Sequence, residues 1–272
     1  MDFVQKLARA SRDNGSLLCV GLDPNPALMP VTDLFQFNRE IIDATRDLVC
    51  AYKPNLAFYE ALGTEGLTAL ERTVQHIPDS IPIIGDAKRG DISSSSEAYA
   101  QAMFGWLDFD AITVSPYLGY DSIAPFVEYQ GKGVFILCKT SNPGSSDFQE
   151  LECCLPGTGE RQPLYRFVAR KALEWNSRGN IGLVVGATYP EQLGEIRRLC
   201  PDLPLLIPGV GAQSGDLEAA VRSGVDRRGE NAIINSSRQI LYASRGKDFA
   251  QAARDQARRL RDEINLHRPR AG

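Results

Sequence analysis

The chain has 272 residues, of which 43% are hydrophobic and 24% are charged, and its formal net charge is −4. This length and composition suit one large domain with a substantial buried core. The slightly negative charge gives no electrostatic reason to expect nucleic acid or an anionic membrane as the main partner, whereas a small anionic ligand needs only a local positive site.

Residues 1–16 have the spacing of an amphipathic helix and lack the apolar run of a signal peptide. No apolar run approaches the roughly 20 residues that span a bilayer. The six cysteines include no C-x-x-C pair and no zinc-finger spacing. We therefore expect a cytoplasmic protein with reduced cysteines and no membrane partner.

Short β-branched runs alternate with longer amphipathic stretches. The first run, Leu17–Leu22, is continuously apolar, as is typical of a strand buried on both faces of a parallel sheet. Further strands are predicted at Ala51–Asn55, Ile81–Asp86, Ala111–Ser115, Gly133–Lys139, Gly182–Gly186, Leu205–Pro208 and Ala232–Ser236. Helices are predicted at Phe35–Cys50, Glu60–His76, Ser95–Phe104, Ser122–Tyr129, Leu164–Ser177, Pro190–Leu199, Asp216–Ser223 and Asp248–Leu266.

Eight repeats of strand and helix with no evident linker predict a single α/β domain over residues 1–272. Its expected fold is a (β/α)8 TIM barrel with an N-terminal and a C-terminal helix. A doubly wound open sheet has the same alternation and stays open as an alternative. The longest irregular stretch, Asn142–Pro163, follows the fifth strand, and loops of this length are usually functional or disordered.

The densest ionic cluster is IIGDAKRGDI, residues 83–92, at the end of the third strand. Asp86 and Lys88 are two residues apart, so their side chains leave the same face of an unbroken strand. Asp91 follows just before the next helix. Polar residues at the C-terminal ends of barrel strands are usually catalytic. The alternative is a plain ion pair between Asp86 and Lys88, with Asp91 capping the helix.

Two further polar residues end neighbouring strands. Lys53, in AYKPN, is placed to reach Asp86, or else extends to the barrel rim as a snorkelling lysine. Asp23, in GLDPNP, is placed to accept hydrogen bonds from sugar hydroxyls, or else forms an Asx turn before Pro24.

A candidate phosphate site follows the last two strands. The segment PGVGAQSG, residues 208–215, combines glycines with a following helix N-terminus, and both features suit an anion. Barrel phosphate sites commonly use the loops after strands seven and eight. Arg238 follows strand eight, where a guanidinium can hold a phosphate. A tight turn and a surface salt bridge are the respective alternatives for the glycines and for Arg238.

Together these motifs resemble one enzyme family. DAKRGD matches the D-x-K-x-x-D motif of orotidine 5'-phosphate decarboxylases. GLDP, YKPN, the SNPG segment at 141–144, PGVGAQ and Arg238 fall in that family's order and spacing, from about Leu18 to Arg238. The long loop after the fifth strand resembles the larger bacterial-type branch.

The resemblance implies decarboxylation of orotidine 5'-phosphate to UMP and CO2 in de novo pyrimidine biosynthesis, with no cofactor and no metal. Lys88 resembles the residue that delivers a proton to C6 of the pyrimidine. Asp86 would lie beside the departing carboxylate, and Lys53 would hold the charge array and the ribose. Asp91 would enter the neighbouring subunit's site, so a homodimer is expected.

The other implied roles concern substrate binding. Asp23 resembles the ribose ligand, and Ser141 resembles the residue that binds the pyrimidine edge. The phosphate end is assigned to Pro208, Gln213 and Arg238. Two positions depart from the family's pattern: Ser214 stands where relatives often have Gly, and Ser95 stands at a helix position where relatives can carry Thr.

Three alternative functions stay open. A metal-dependent decarboxylase or aldol-type enzyme acting on a sugar phosphate shares the D-x-K-x-x-D frame, although a carboxylate in place of Lys53 would serve its metal better. A Schiff-base aldolase would use Lys53 or Lys88 as its nucleophile. A non-catalytic protein that binds a phosphate ligand could use the same barrel.

Overall fold

The computed structural model describes residues 1–154, 157, 159–210 and 216–269. Within these residues, eight parallel strands form one sheet: β1 (Leu18–Leu22), β2 (Ala51–Pro54), β3 (Ile84–Arg89), β4 (Ala111–Val114), β5 (Gly133–Lys139), β8 (Ile181–Val185), β9 (Leu205–Ile207) and β10 (Ala232–Ser236). Two short strands, β6 (Glu152–Cys154) and β7 (Arg161–Pro163), pair antiparallel outside it.

The sheet closes on itself. Its strands lie in the order β2-β1-β10-β9-β8-β5-β4-β3. Parallel bridges from Tyr52 to Ile83 and from Asn55 to Asp86 then join β2 to β3. The predicted (β/α)8 barrel is therefore confirmed, and the open-sheet alternative is wrong.

Helices connect the strands and flank the barrel in sequence. They are α1 (Phe3–Asp13), α2 (Leu34–Thr45), α3 (Leu56–Glu60), α4 (Gly63–His76), α5 (Ser93–Ala100), α6 (Ala124–Val127), α7 (Leu164–Trp175), α8 (Pro190–Leu199), α9 (Leu217–Gly224), α10 (Arg238–Leu241) and α11 (Phe249–His267). The helix α5 continues as a π-helix at Gln101–Trp106, and 3₁₀ turns occur at Tyr120–Ser122 and Pro143–Asp147. No helix among the described residues is long and apolar enough to cross a membrane.

Some predicted boundaries are wrong. The third strand begins at Ile84 and not at Ile81, and its pairing with β4 continues to Arg89. The single helix predicted over Glu60–His76 belongs to two helices, α3 and α4. The stretch Asn142–Pro163 is less irregular than expected, because it contains a 3₁₀ turn and the β6–β7 hairpin.

An inward-facing layer of mostly apolar side chains fills the N-terminal part of the barrel interior, which in this fold is packed with side chains and is not a pore. The layer takes one residue from each strand: Cys19, Ala51, Ile84, Ala111, Phe135, Val184, Leu206 and Ile233. Phe3 and Leu7 of α1 belong to the same buried cluster. The helix α1 therefore closes the N-terminal end of the barrel and leaves the C-terminal end open for a site.

Candidate active site

A cavity of about 510 Å³ lies at the C-terminal ends of the barrel strands, within the size range of small-molecule sites. Because inward-facing residues recur every second position, the layer above the apolar one begins two residues later in each strand. It contributes Lys53, Asp86, Thr113, Leu137, Pro208 and Asn235 to the cavity wall. The two-residue period of the strands therefore places an apolar layer at the floor of the cavity and a mostly polar layer in its wall.

Most of the predicted site residues line this one cavity. They are Asp23, Lys53, Asp86, Lys88, Ser141, Pro208 and Arg238. Asp91 does not line it; its carboxylate accepts a hydrogen bond from the Ile92 backbone N–H at 2.7 Å. Gln213, and Ser214 with it, lie outside the described residues.

The centre of the site is a row of alternating charges. The carboxylate of Asp86 accepts a bond from Lys53 Nζ at 3.0 Å on Oδ2 and from Lys88 Nζ at 2.6 Å on Oδ1. The Lys53 side chain is only 4% exposed, whereas the Lys88 side chain is 51% exposed and faces the cavity. Lys53 therefore anchors the row and does not snorkel to the rim, while Lys88 presents its ammonium to whatever occupies the cavity.

The surroundings keep the two buried members of this row charged. Burial alone would raise the pKa of Asp86, but the nearby ammonium groups of Lys53 and Lys88 hold it well below its usual range. Burial alone would lower the pKa of Lys53, but the carboxylates of Asp86 and Asp23 raise it above its usual value. At neutral pH, Asp86 is ionised and Lys53 is protonated.

The backbone at Lys88 is strained. Its φ is +48°, in the left-handed region that residues with a side chain rarely adopt. Such outliers cost roughly 1–3 kcal/mol and cluster at functional sites. The strained residue is thus one that lines the cavity and bonds to Asp86.

The loop after β5 forms one wall of the cavity. Gln149 Oε1 accepts a bond from Thr140 N at 2.8 Å, and both residues line the cavity with Ser141. A Cβ on Gly186 would lie 2.7 Å from the Ser141 Cα, so only glycine there lets this wall pack closely. The stretch Asn142–Pro163 therefore does reach the cavity, through Asn142 and Gln149.

Asp23 and Arg238 occupy the remaining wall. Asp23 Oδ1 is buried and has no hydrogen-bond donor among the described residues. Asp23 also lines the cavity, so its carboxylate belongs to the wall that a bound molecule would meet. Arg238 stands at the first position of α10 and is exposed at the cavity edge, beside Pro208 and Gly209.

Sequence reasoning missed several polar cavity residues: Asn55, Thr113, Gln149 and Asn235. Three of them carried a usable signal, because Thr113 and Asn235 lie two positions after a residue of the apolar layer and Asn55 lies two positions after Lys53. Gln149 had no comparable signal in the sequence. Among the described residues, no group of three or more His, Cys, Asp or Glu side chains is arranged to hold a metal ion.

Comparison with known proteins shows the family to which the chain is similar. The profile of the orotidine 5'-phosphate decarboxylase / HUMPS family matches residues 16–255. An orotidine 5'-phosphate decarboxylase from Dehalococcoides mccartyi is 56% identical over 271 residues, which cover 99% of this chain and 100% of that protein.

Solved structures of related proteins match the chain over nearly its full length. The OMP decarboxylase of Leishmania donovani is 40% identical with a TM-score of 0.83, over 98% of this chain and 100% of that chain. The UMP synthase of Leishmania donovani is 42% identical with a TM-score of 0.88, over 98% of this chain, and the chain spans 56% of that longer protein. The protein therefore belongs to the orotidine 5'-phosphate decarboxylase / HUMPS family.

Proposed function

We propose that this protein converts orotidine 5'-phosphate to UMP and CO2, with Lys88 as the proton donor to C6. The observation that carries the proposal is the Lys53–Asp86–Lys88 charge row in a cavity that Arg238 also lines. The row supplies a cation for the reacting carbon, and the arginine supplies a cation for the phosphate. Membership of the family supports this reaction for the site.

The chemistry requires one well-placed cation. When the bond between C6 and the carboxylate breaks, its electron pair stays on C6, and CO2 leaves. That pair lies in the plane of the ring and is poorly delocalised, so a fixed positive charge beside C6 lowers the barrier. The Lys88 ammonium then gives its proton to C6, which forms the C6–H bond of UMP, and the neutral amine regains a proton from water.

Asp86 has two roles in this scheme. It holds the Lys88 ammonium at 2.6 Å and so limits the positions from which the proton can be delivered. Its negative charge also repels a carboxylate bound beside it, and this repulsion is relieved when CO2 leaves.

Binding is assigned to the surrounding walls. Asp23 would accept a hydrogen bond from a ribose hydroxyl, and Ser141 would bind the pyrimidine edge. Arg238 and Pro208 would hold the phosphate end. We assign Gln213 to the phosphate as well, from the family motif alone. Contacts far from C6 contribute to catalysis because their binding energy positions the ring against Lys88.

We also propose that the active form is a homodimer in which Asp91 enters the partner's site. Asp91 lies outside its own cavity, and the neighbouring Ile92 is 59% exposed. Further apolar side chains are exposed on the segments that follow β2, β3 and β4: Phe58, Leu62, Tyr99, Tyr117 and Leu118. Exposed apolar surface on three adjacent strand ends is typical of a protein interface.

The location and domain organisation are proposals too. All six cysteines are free thiols, which suits the reducing cytoplasm. The single barrel domain over residues 1–272 is supported by one closed sheet among the described residues, with one apolar cluster inside the barrel and the other between its strands and the helices around them.

The test is the loss of ultraviolet absorbance after orotidine 5'-phosphate is added to purified, chelator-treated protein. We expect the wild type to turn over, and Lys88→Ala to lose at least about 10³-fold in kcat while staying folded. Lys132→Ala is the matched control, because Lys132 is ion-paired with Asp108 next to the N-terminal end of β5, and it should keep wild-type turnover. Near-normal turnover by Lys88→Ala would remove Lys88 from the chemistry.

The absorbance assay, together with a trapping and a binding measurement, separates the rival functions. Activity that is lost with chelator and restored by Mg²⁺ would favour the metal-dependent enzyme, although a carboxylate in place of Lys53 would serve its metal better. Covalent trapping by borohydride in the presence of substrate would favour a Schiff-base aldolase. Binding of orotidine 5'-phosphate without any absorbance loss would favour a non-catalytic binding protein.

A further inference from the structure

We infer that Thr113 is a positioning residue for the reaction: its hydroxyl fixes both the Lys88 backbone and the Asp86 carboxylate, and so sets where the Lys88 ammonium stands. The inference rests on the proposed function. Thr113 lies in β4, is 1% exposed and lines the cavity.

The pairing between β3 and β4 explains why a hydroxyl is needed. Gly85 pairs with Ile112, and Arg89 pairs with Val114. Between these two pairs, β3 contributes Asp86–Lys88 whereas β4 contributes only Thr113. The strand β3 therefore bulges at the charged residues, and a bulge leaves backbone groups without their usual partner in the ladder.

Thr113 takes the place of that missing partner. Its Oγ1 accepts a hydrogen bond from the Lys88 backbone N–H at 2.9 Å. This bond acts on the residue whose φ is +48°, so it helps to hold the strained backbone of Lys88, which lines the cavity.

The same hydroxyl also holds Asp86. Thr113 Oγ1 donates its proton to Asp86 Oδ1 at 3.0 Å. A hydroxyl has one proton and two lone pairs, so accepting from Lys88 and donating to Asp86 are compatible. The bond fixes the rotation of the carboxylate, with Oδ1 toward Lys88 and Oδ2 toward Lys53.

Loss of the hydroxyl should therefore affect the chemical step more than binding. Among the described residues, Thr113 makes no hydrogen bond to the residues assigned to ribose, pyrimidine and phosphate, whereas Lys88 and Asp86 both bond to its hydroxyl. A displacement of about 1 Å in a reacting group can cost on the order of 10²-fold in rate.

The experiment compares Thr113→Val, which keeps the shape and removes the hydroxyl, with Thr113→Ser, which keeps the hydroxyl. We expect Thr113→Val to lower kcat by about 10- to 100-fold with less than about threefold change in KM. Thr113→Ser should recover kcat to within about threefold of wild type. Thr113→Ala is a second variant without the hydroxyl. It replaces Thr113→Val in the comparison if that variant does not fold, and the same loss of kcat is expected from it.

Thr73→Val is the matched control, because Thr73 is also a buried threonine with hydroxyl bonds but lies in α4, and it should leave kcat unchanged. Wild-type kcat in Thr113→Val, an equal loss in Thr113→Ser, or a loss expressed mainly in KM would overturn the positioning role. An inactive wild type would instead contradict the proposed function itself, and the role of Thr113 in it would fall as well.

Discussion

The charge of Asp86 contributes to the stability of the fold because it is paired with a buried lysine. Lys53 is buried against it, so replacing Asp86 by Asn removes the ion-pair partner of a buried ammonium and leaves only the carboxylate of Asp23 nearby. Removing one partner of a buried pair typically costs about 3–5 kcal/mol. We expect the free energy of unfolding of Asp86→Asn, measured with urea at pH 7, to fall by about 3 kcal/mol.

The pH dependence of this difference follows from the lowered pKa of Asp86, which the two lysines hold down against the effect of burial. A carboxylate with a lowered folded-state pKa stabilises the fold above its unfolded-state pKa of about 3.9, and loses this contribution as the pH falls further. The gap between wild type and Asp86→Asn should thus be constant from pH 7 to about pH 5 and narrow below about pH 4. The control variant Asp79→Asn replaces an exposed carboxylate, and its free energy of unfolding should match that of the wild type throughout this pH range. A stability difference between wild type and Asp86→Asn that widens in acid would refute the lowered pKa of Asp86.

Arg238 gives a prediction about substrate binding. Hydrogen bonds to a charged group contribute about 1.5–3 kcal/mol, so Arg238→Ala should raise KM for orotidine 5'-phosphate by about 10- to 100-fold. Activity toward phosphate-free orotidine should not change. The exposed Arg245, just beyond α10, provides the control variant Arg245→Ala, which should resemble wild type with both substrates. Equal damage with both substrates in Arg238→Ala would argue against a phosphate contact.

At the scale of elements, α1 decides how the barrel floor is closed. Phe3 is 3% exposed and meets the Phe135 ring edge-on at 5.6 Å between centroids. A Cβ on Gly133 would lie 2.3 Å from the Phe3 ring, so β5 carries glycine where the helix packs against it. The N-terminal helix is thus part of the barrel core and not an appendage.

Phe3→Ala should therefore lower the free energy of unfolding by about 3–5 kcal/mol, because it leaves a cavity in the core. Its kcat should stay near wild type, since the floor lies at the opposite end of the strands from the charge row. Urea unfolding and the absorbance assay measure the two effects. Gln5→Ala, on the exposed face of the same helix, should change stability by less than about 0.5 kcal/mol. A stable but inactive Phe3→Ala would contradict this division of roles.

At the scale of the whole molecule, the proposed dimer would share residues between two sites. If Asp91 acts in the partner's site, a mixture of Lys88→Ala and Asp91→Ala chains forms heterodimers in which one of the two sites is complete. After subunit exchange, we expect about a quarter of wild-type activity from two variants that are each nearly inactive alone.

The control is a mixture of Lys88→Ala and Lys53→Ala, because both lysines lie in the same chain's cavity and no heterodimer has a complete site. That mixture should stay inactive. Sedimentation of the wild type should give the mass of two chains. Failure of the first mixture to recover activity, with exchange verified by mass, would place Asp91 outside the partner's site.

The sequence by itself determined the parts of this protein that repeat locally. Strand–helix alternation predicted eight parallel strands with their helices, and the positions of the strand ends predicted where the polar site residues gather. Residues that end adjacent strands, such as Lys53 and Asp86, had to meet because parallel strand ends gather at one edge. These features depend on one strand, or on neighbouring strands, and need no knowledge of register.

Only the tertiary structure decided the features that depend on how strands are offset and where loops return. The bulge that sets Asp86–Lys88 opposite Thr113 is a matter of register between β3 and β4, which no local pattern specifies. Gln149 reaches the cavity because its segment folds back onto Thr140. The helix boundaries near α3 and α4 were likewise set by packing, since intrinsic propensity differences of a few tenths of a kcal/mol are smaller than the energy of burying a side chain.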